Sequence, residues 1–176
     1  MAPCTRAAAG AHPPATVSAV TVFLVRHASA GARNEASPTD VERSLDGAGR
    51  DQAARLVGLM AEHDVRRILS SPALRCIQSV EPLAAQLGLD VEVHDDLFEG
   101  TAVGDAWELL EWAAHHDGDV VLCSHGDLIP ELIRRAQLRG MEIPGKSGCS
   151  KGSVWELRWD GNRFDCGIYT PVKAHV

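Results

Sequence analysis

Hydrophobic positions along the chain repeat with two periods, and blocks of one alternate with blocks of the other. Residues 17–26, VSAVTVFLVR, are almost wholly apolar, and Val17 to Arg26 reads as a buried strand. The polar stretch from Gly31 to Arg43, rich in Asn, Ser, Pro and Asp, reads as a surface loop. In GAGRDQAARLVGLMAEH, Ala53, Leu56, Val57 and Met60 recur at helical spacing behind Asp46 as N-cap. RRILS, ending at Ser70, is a short strand. Ser71 and Pro72 then supply a cap and a first residue for a second helix, whose buried face is marked by Leu74, Ile77, Val80, Ala84 and Leu87 and which stops at Gly88.

VEVH, from Val91 to His94, is a further short strand, and Asp105 to His115 forms a third helix with Trp107, Leu110 and Ala114 on one face. DVVLCS, from Asp119 to Ser124, is a buried strand, followed by a helix from about Asp127 to Leu138. Pro130 falls in its first turn, where a missing N–H is tolerated. The tail breaks the rhythm. SVWELRW and RFDCGIY flank Asp160, Gly161 and Asn162 as arms of a hairpin, with Trp155, Leu157 and Trp159 on one face. Strand and helix alternate three times, which implies right-handed crossovers. The expected fold is α/β, a three-layer αβα sandwich whose central sheet is mostly parallel and ends in a C-terminal hairpin.

At 176 residues the chain suits one core, so 17–176 read as a single domain and 1–16 as a flexible Ala/Pro-rich leader. Composition, 45% hydrophobic and 23% charged, is that of a globular chain and not a disordered one. The N-terminus has some features of a signal peptide, but cleavage after Ala28 or Ala30 would discard Arg26 and His27, and Thr16, Ser18 and Thr21 interrupt its apolar centre. No apolar stretch approaches the roughly 20 residues of a membrane span, so no membrane partner is expected. A net charge of -7 argues against a nucleic-acid polymer as partner. Five cysteines, odd in number and without a CxxC pair, indicate neither a disulfide framework nor a zinc site and suit a reducing cytoplasm.

Parallel strands present their carboxyl ends along one edge, where open α/β sheets place ligands. Three such ends carry unusual residues here: Arg26 and His27, then Ser70, Ser71 and Arg75, then Ser124 and His125. Their convergence would form a small cationic pocket in an acidic protein. Guanidiniums fork phosphate oxygens and neutralise a transferring phosphoryl group. One imidazole can attack phosphorus while the other donates to a phosphoryl oxygen, a chemistry that calls for no metal and no cofactor.

LVRHASAG, RSLDGAGRDQA, SSPALRCIQSVEPLA and VVLCSHGD together resemble the four blocks of the histidine phosphatase superfamily, also called phosphoglycerate-mutase-like. The RHA variant and LDGAGRDQA are similar to its SixA-like branch. KGSVWEL with SSPALRCIQSVEPLA resembles the phosphatase domain that follows a Nudix domain in two-domain proteins; no Nudix box occurs here, so a free-standing relative is expected. The resemblance implies that His27 is transiently phosphorylated, that Arg26 and Arg75 hold the phosphoryl oxygens, and that His125 completes the pocket. It places a proton donor between Arg75 and His125, where Glu99 in DDLFEG competes with Asp95 and Asp96; general acid catalysis there is worth on the order of 100- to 10,000-fold.

Two departures from that pattern stand out. The usual glycine after the nucleophile is Ala28, small enough for close backbone approach if its φ is negative. The asparagine of the mutases has no match in register; Arg33 stands there as a candidate substrate contact, with Asn34 next to it. The expected activity is a metal-independent phosphatase acting on a small phosphomonoester, a nucleotide or a phosphohistidine protein. A non-catalytic phospho-ligand binding module and a phosphomutase are the alternatives.

Other polar and aromatic residues read more plainly. His115 and His116 form a solvated helix end, since neighbouring helical side chains diverge by about 100°. Cys76 and Cys123 are packed thiols, and Trp107, Trp112, Trp155 and Trp159 mostly core; Lys151, just ahead of a tail strand, could reach a substrate phosphate but reads first as a surface lysine.

Overall fold

The computed structural model describes residues 20–33 and 40–172. The expected leader, Cys4, the first residues of the predicted strand and Asn34 lie outside these. Six strands form one sheet in the order β3-β2-β4-β1-β5-β6: β1 (Thr21–Arg26), β2 (Val65–Ser70), β3 (Val91–Val93), β4 (Asp119–Ser124), β5 (Val154–Trp159) and β6 (Phe164–Thr170). The β1–β4, β4–β2 and β2–β3 pairs are parallel, whereas β5 runs antiparallel to β1 and to β6. This is the expected αβα sandwich with its C-terminal hairpin.

Alternation along β1 builds the two flanking layers. Val22 and Leu24 point into a core with Leu110, Leu132, Trp155 and Leu157, which joins the sheet to α3 (Val103–Ala114) and α4 (Leu128–Leu138). Phe23 and Val25 point to the other side and meet Leu56, Ile68, Val80 and Leu83, from β2, α1 (Gly47–Leu59) and α2 (Leu74–Leu87). Trp155, Leu157 and Trp159 share the first core, as the hairpin pattern predicts. Asp160 closes the hairpin by accepting from the N–H groups of Asn162 and Arg163 at 2.8 and 2.9 Å.

Several boundaries differ from the pattern. β1 begins at Thr21 and not at Val17. α1 ends at Leu59, and α3 starts at Val103, two residues before Asp105. Ser71 and Pro72 do not open α2. The helix starts at Leu74 behind Ala73, which has no polar side chain to cap it; the Ser71 hydroxyl lies 2.7 Å from His125 Nε2 and also accepts from Ala73 N–H at 3.3 Å. Leu87 and Trp112 are exposed, Leu87 because it sits at the end of its helix. Trp112 instead stacks under Arg67, whose guanidinium carbon is 4.7 Å from the ring centroid. The loop after β1 is not wholly on the surface either, since Asp40 is buried. Cys76, Cys123 and Cys149 are free thiols. Cys166 is disulfide-bonded, a departure from the fully reduced set expected. Among the described residues no helix is long and apolar enough to cross a membrane.

Helix α1 packs hard against the loop that leaves β1. Asp46 caps it as expected, accepting from Gly49 N–H at 2.8 Å, and also holds Ser29 Oγ and Gly31 N–H, each at 2.8 Å. A Cβ on Gly49 would lie 1.9 Å from the Ser29 carbonyl oxygen, while one on Gly47 would meet nothing within 4 Å. Gly49→Ala should therefore lower the unfolding free energy by about 1–3 kcal/mol through overpacking. Gly47→Ala should be neutral or stabilising by up to about 1 kcal/mol. Urea denaturation of both variants checks the contrast; equal midpoints would remove it.

Candidate active site

The parallel strands β1, β2 and β4 end side by side, and their continuations line one cleft of about 390 Å3. Arg26, His27, Arg33, Arg75, Glu99 and His125 are all in its wall, together with Gly31, Arg43, Gly126, Asp127 and Lys151. Backbone bonds lock the strand ends. His27 N–H donates to Ser124 O at 2.9 Å, Ser71 N–H to Cys123 O at 3.0 Å, and Arg26 N–H to Ser153 O at 3.0 Å. Residues separated by a hundred positions are thus fixed to one another by the sheet ladder.

His27 is buried, and its Nδ1 lies 2.8 Å from Ala28 O. A carbonyl only accepts, so Nδ1 carries the hydrogen and Nε2 keeps its lone pair. Burial lowers this imidazole's pKa to about 3; the charges of His125, Arg75 and Arg26 add to that, and the bond to Ala28 opposes it. His27 is therefore neutral near pH 7, the state a nucleophile requires. The following backbone is occupied elsewhere: Ala28 N–H donates to Ser79 Oγ at 2.8 Å and Ser29 N–H to Gln52 Oε1 at 2.9 Å. The Ala28 amide, whose close approach to a phosphate the sequence suggested, is spent on Ser79.

Arg75 sits in the first turn of α2 at 1% exposure. Its Nη1 donates to the Asp40 carbonyl at 2.5 Å and lies 3.5 Å from that residue's carboxylate. Its Nη2 is 3.3 Å from His125 Nδ1 and 3.4 Å from Glu99 Oε1. Because a guanidinium only donates, His125 Nδ1 accepts, leaving Nε2–H for Ser71 Oγ. Arg26 Nη1 donates to Cys149 O. Both Arg26 Nε and Arg75 Nε are buried without a partner. A buried N–H with no acceptor is costly, and both of these belong to side chains that line the cleft.

Glu99 Oε1 lies 3.4 Å from both Arg75 and Arg33. Its loop is fixed on both sides, by Ser124 Oγ donating to Leu97 O at 2.8 Å and by Gly100 N–H donating to Asp127 at 2.8 Å. Asp95 and Asp96 do not line the cleft. Asp96 faces His94 at 3.4 Å, on the rim of a separate depression with Trp112.

Sequence reasoning missed four residues here. Asp40 is held below the usual carboxylate range by its hydrogen bonds to Arg43 and braces Arg75. Arg43 reaches back to the carbonyls of Ala30 and Gly31. Gln52, buried in α1, bridges Ser29, Lys151 O and Val172 O. Gly126 leaves space for Arg26, whose guanidinium carbon would stand 2.6 Å from a Cβ there. Arg43, Gln52 and Gly126 lie within the quoted sequence blocks, whereas Asp40 carried no signal. Cys76 Sγ lies 3.5 Å from His125 Nε2; burial raises its pKa, while hydrogen bonds to Cys123 and His125 and the Arg75 charge outweigh that and lower it. Among the described residues no three His, Cys, Asp or Glu side chains gather as a metal site.

Comparison with known proteins identifies the family. Residues 22–109 match the family model of the histidine phosphatase superfamily, branch 1. The 8-oxo-(d)GTP phosphatase of Mycolicibacterium smegmatis is 35% identical over 146 residues, which cover 80% of this chain and 45% of that protein. The chain thus spans less than half the length of that relative. Among solved structures, the protein histidine phosphatase SixA complexed with tungstate has a TM-score of 0.67 at 22% identity, covering 88% of this chain and 96% of that one. A mycobacterial glucosyl-3-phosphoglycerate phosphatase has a TM-score of 0.62 at 18% identity, covering 89% and 100%. At these identities the two structures share the fold.

Two outcomes follow from the site's physics. Unfolded His27 titrates near its ordinary 6.5 and folded His27 near 3, so between these values the unfolded chain binds the extra proton and stability falls as pH falls. His27→Gln should flatten that decline by up to about 1.4 kcal/mol per pH unit, read from denaturation midpoints at pH 7, 5 and 4. Gly126→Ala should weaken orthovanadate binding about 10- to 100-fold by displacing the Arg26 guanidinium, as measured by calorimetry.

Proposed function

We propose that this chain, which belongs to the histidine phosphatase superfamily, branch 1, is a phosphatase whose chemistry runs through a phosphohistidine on His27 and needs no metal. The observation that carries this reading is the neutral His27 imidazole, with its lone pair on Nε2, beside two buried guanidiniums whose Nε–H groups have no acceptor.

Arg26 and Arg75 take the oxygens of the scissile phosphoryl group and neutralise its charge. The Nε2 lone pair of His27 forms the N–P bond as the bond from phosphorus to the leaving oxygen breaks. Phosphoryl oxygens arriving at Arg75 displace Glu99 from it; the freed carboxylate takes the proton carried by the phosphomonoester monoanion and gives it to the leaving oxygen. Water then attacks the phosphohistidine and gives a proton to Glu99, orthophosphate departs, and His27 returns to its neutral form. When Arg75 turns to the anion, His125 Nδ1 loses its donor. The Ser71 hydroxyl, able to give or take a proton bond at Nε2, lets that ring carry its proton on Nδ1 and donate to a phosphoryl oxygen.

The substrate is a small phosphomonoester, a nucleotide or a phosphohistidine protein, with Arg33 at the rim as a substrate contact. Residues 17–176 as one domain, and the cytoplasm as its compartment, belong to the same reading, with the disulfide at Cys166 weighing against the latter.

Hydrolysis of p-nitrophenyl phosphate, nucleotides and a phosphohistidine peptide, assayed with chelator, tests the proposal. His27→Ala should remove turnover and chelator should leave it intact; loss of activity with chelator, or persistence in the variant, would refute it. Affinity for phosphate without any turnover would mark a binding module, and phosphoryl transfer to a second hydroxyl a mutase. Glu99→Gln should slow poor leaving groups about 100-fold or more while affecting p-nitrophenyl phosphate less. Equal loss on both substrates would deny Glu99 the role of acid.

A further inference from the structure

Lys151 does not behave as the surface lysine its sequence context suggests. It is half-buried and lines the same cleft as His27. Its turn is attached to the nucleophile's own backbone, since Gly152 N–H is shared between the carbonyls of Arg26 and His27 at 3.2 and 3.1 Å. The Lys151 carbonyl accepts from Gln52 Nε2 at 3.0 Å, and the same buried glutamine receives Ser29 N–H. Lys151 is thereby held in register with His27 from two directions.

The cations of the cleft divide by what they already hold. Arg26 and Arg75 face the scissile phosphoryl group. Arg43 is spent, because its donors go to both Asp40 oxygens and to the carbonyls of Ala30 and Gly31. Arg33 shares Glu99. Lys151 makes no ion pair within 4 Å among the described residues. The cleft, at about 390 Å3, is of ligand-pocket size and holds more than a phosphoryl group.

We infer that Lys151 is a specificity-determining residue that binds a second phosphate on the leaving-group side, so that preferred substrates are small molecules bearing two adjacent phosphates. This rests on the phosphatase reading above. An ammonium on a flexible stem suits that task, as a point charge that follows a phosphate without fixing its orientation.

The test compares kcat/KM for a nucleoside 5′-diphosphate and for p-nitrophenyl phosphate in wild type, Lys151→Ala and Lys151→Arg, with calorimetric binding of pyrophosphate and orthophosphate to each. Lys151→Ala should lower the diphosphate-to-monoester ratio about 10- to 100-fold, mainly through KM. It should lower the pyrophosphate-to-orthophosphate affinity ratio similarly, and Lys151→Arg should recover most of both. Ratios unchanged in Lys151→Ala overturn the inference even with turnover intact. If wild type hydrolyses neither substrate, the phosphatase reading fails instead, and the affinity ratio alone then decides for or against Lys151.

Discussion

A guanidinium at 1% exposure, with one N–H left without an acceptor, is the constraint around which this protein is arranged. Burying a charge is costly unless partners compensate for the lost water. Arg75 meets that cost only in part, through the Asp40 carbonyl and carboxylate, His125 Nδ1 and a distant Glu99 oxygen. Arg26, which lines the same cleft, has an unpaired Nε of its own. An oxyanion held by the two guanidiniums, as proposed, would offset part of that cost.

The same burial sets the state of His27, the proposed nucleophile. Desolvation and neighbouring positive charge keep His27 neutral, and the Ala28 carbonyl chooses which nitrogen holds the hydrogen. One environment therefore does two tasks that could conflict: it attracts an anion and leaves a basic nitrogen unprotonated beside it. The parallel arrangement of β1, β2 and β4 makes this possible, because it brings three separate chain segments to one edge with their amides already bonded.

Much of this was legible in the residues. Two hydrophobic periods specified the layers, since Val22 and Leu24 must face opposite to Phe23 and Val25 in any buried strand. Arg26, His27, Arg75 and His125 stood out as polar residues at apolar strand ends. What remained hidden depends on distant partners. Gln52 occupies a polar position on an amphipathic helix and reads as solvent-facing; only the tail and the Lys151 turn, about a hundred residues on, bury it. Ser71 reads as a helix cap by local rule, yet its hydroxyl is shared between Ala73 N–H and a buried imidazole that the sequence places 54 residues away, and the helix opens three residues later. Asp40 reads as loop polarity until Arg43 and Arg75 close over it. Trp112 reads as core because helical spacing cannot show that Arg67 would cover it from outside.

The thiols of Cys76 and Cys123 touch no solvent, although one of them lies against the ring of His125. An alkylating reagent has no route to either sulfur in the closed molecule, however nucleophilic the thiolate. Modification must wait for α2 to part from β4, so its rate reports how often that layer breathes. Inactivation by such a compound would then measure a motion of the scaffold, and a bound oxyanion that holds the layers together would slow it without shielding a single sulfur directly.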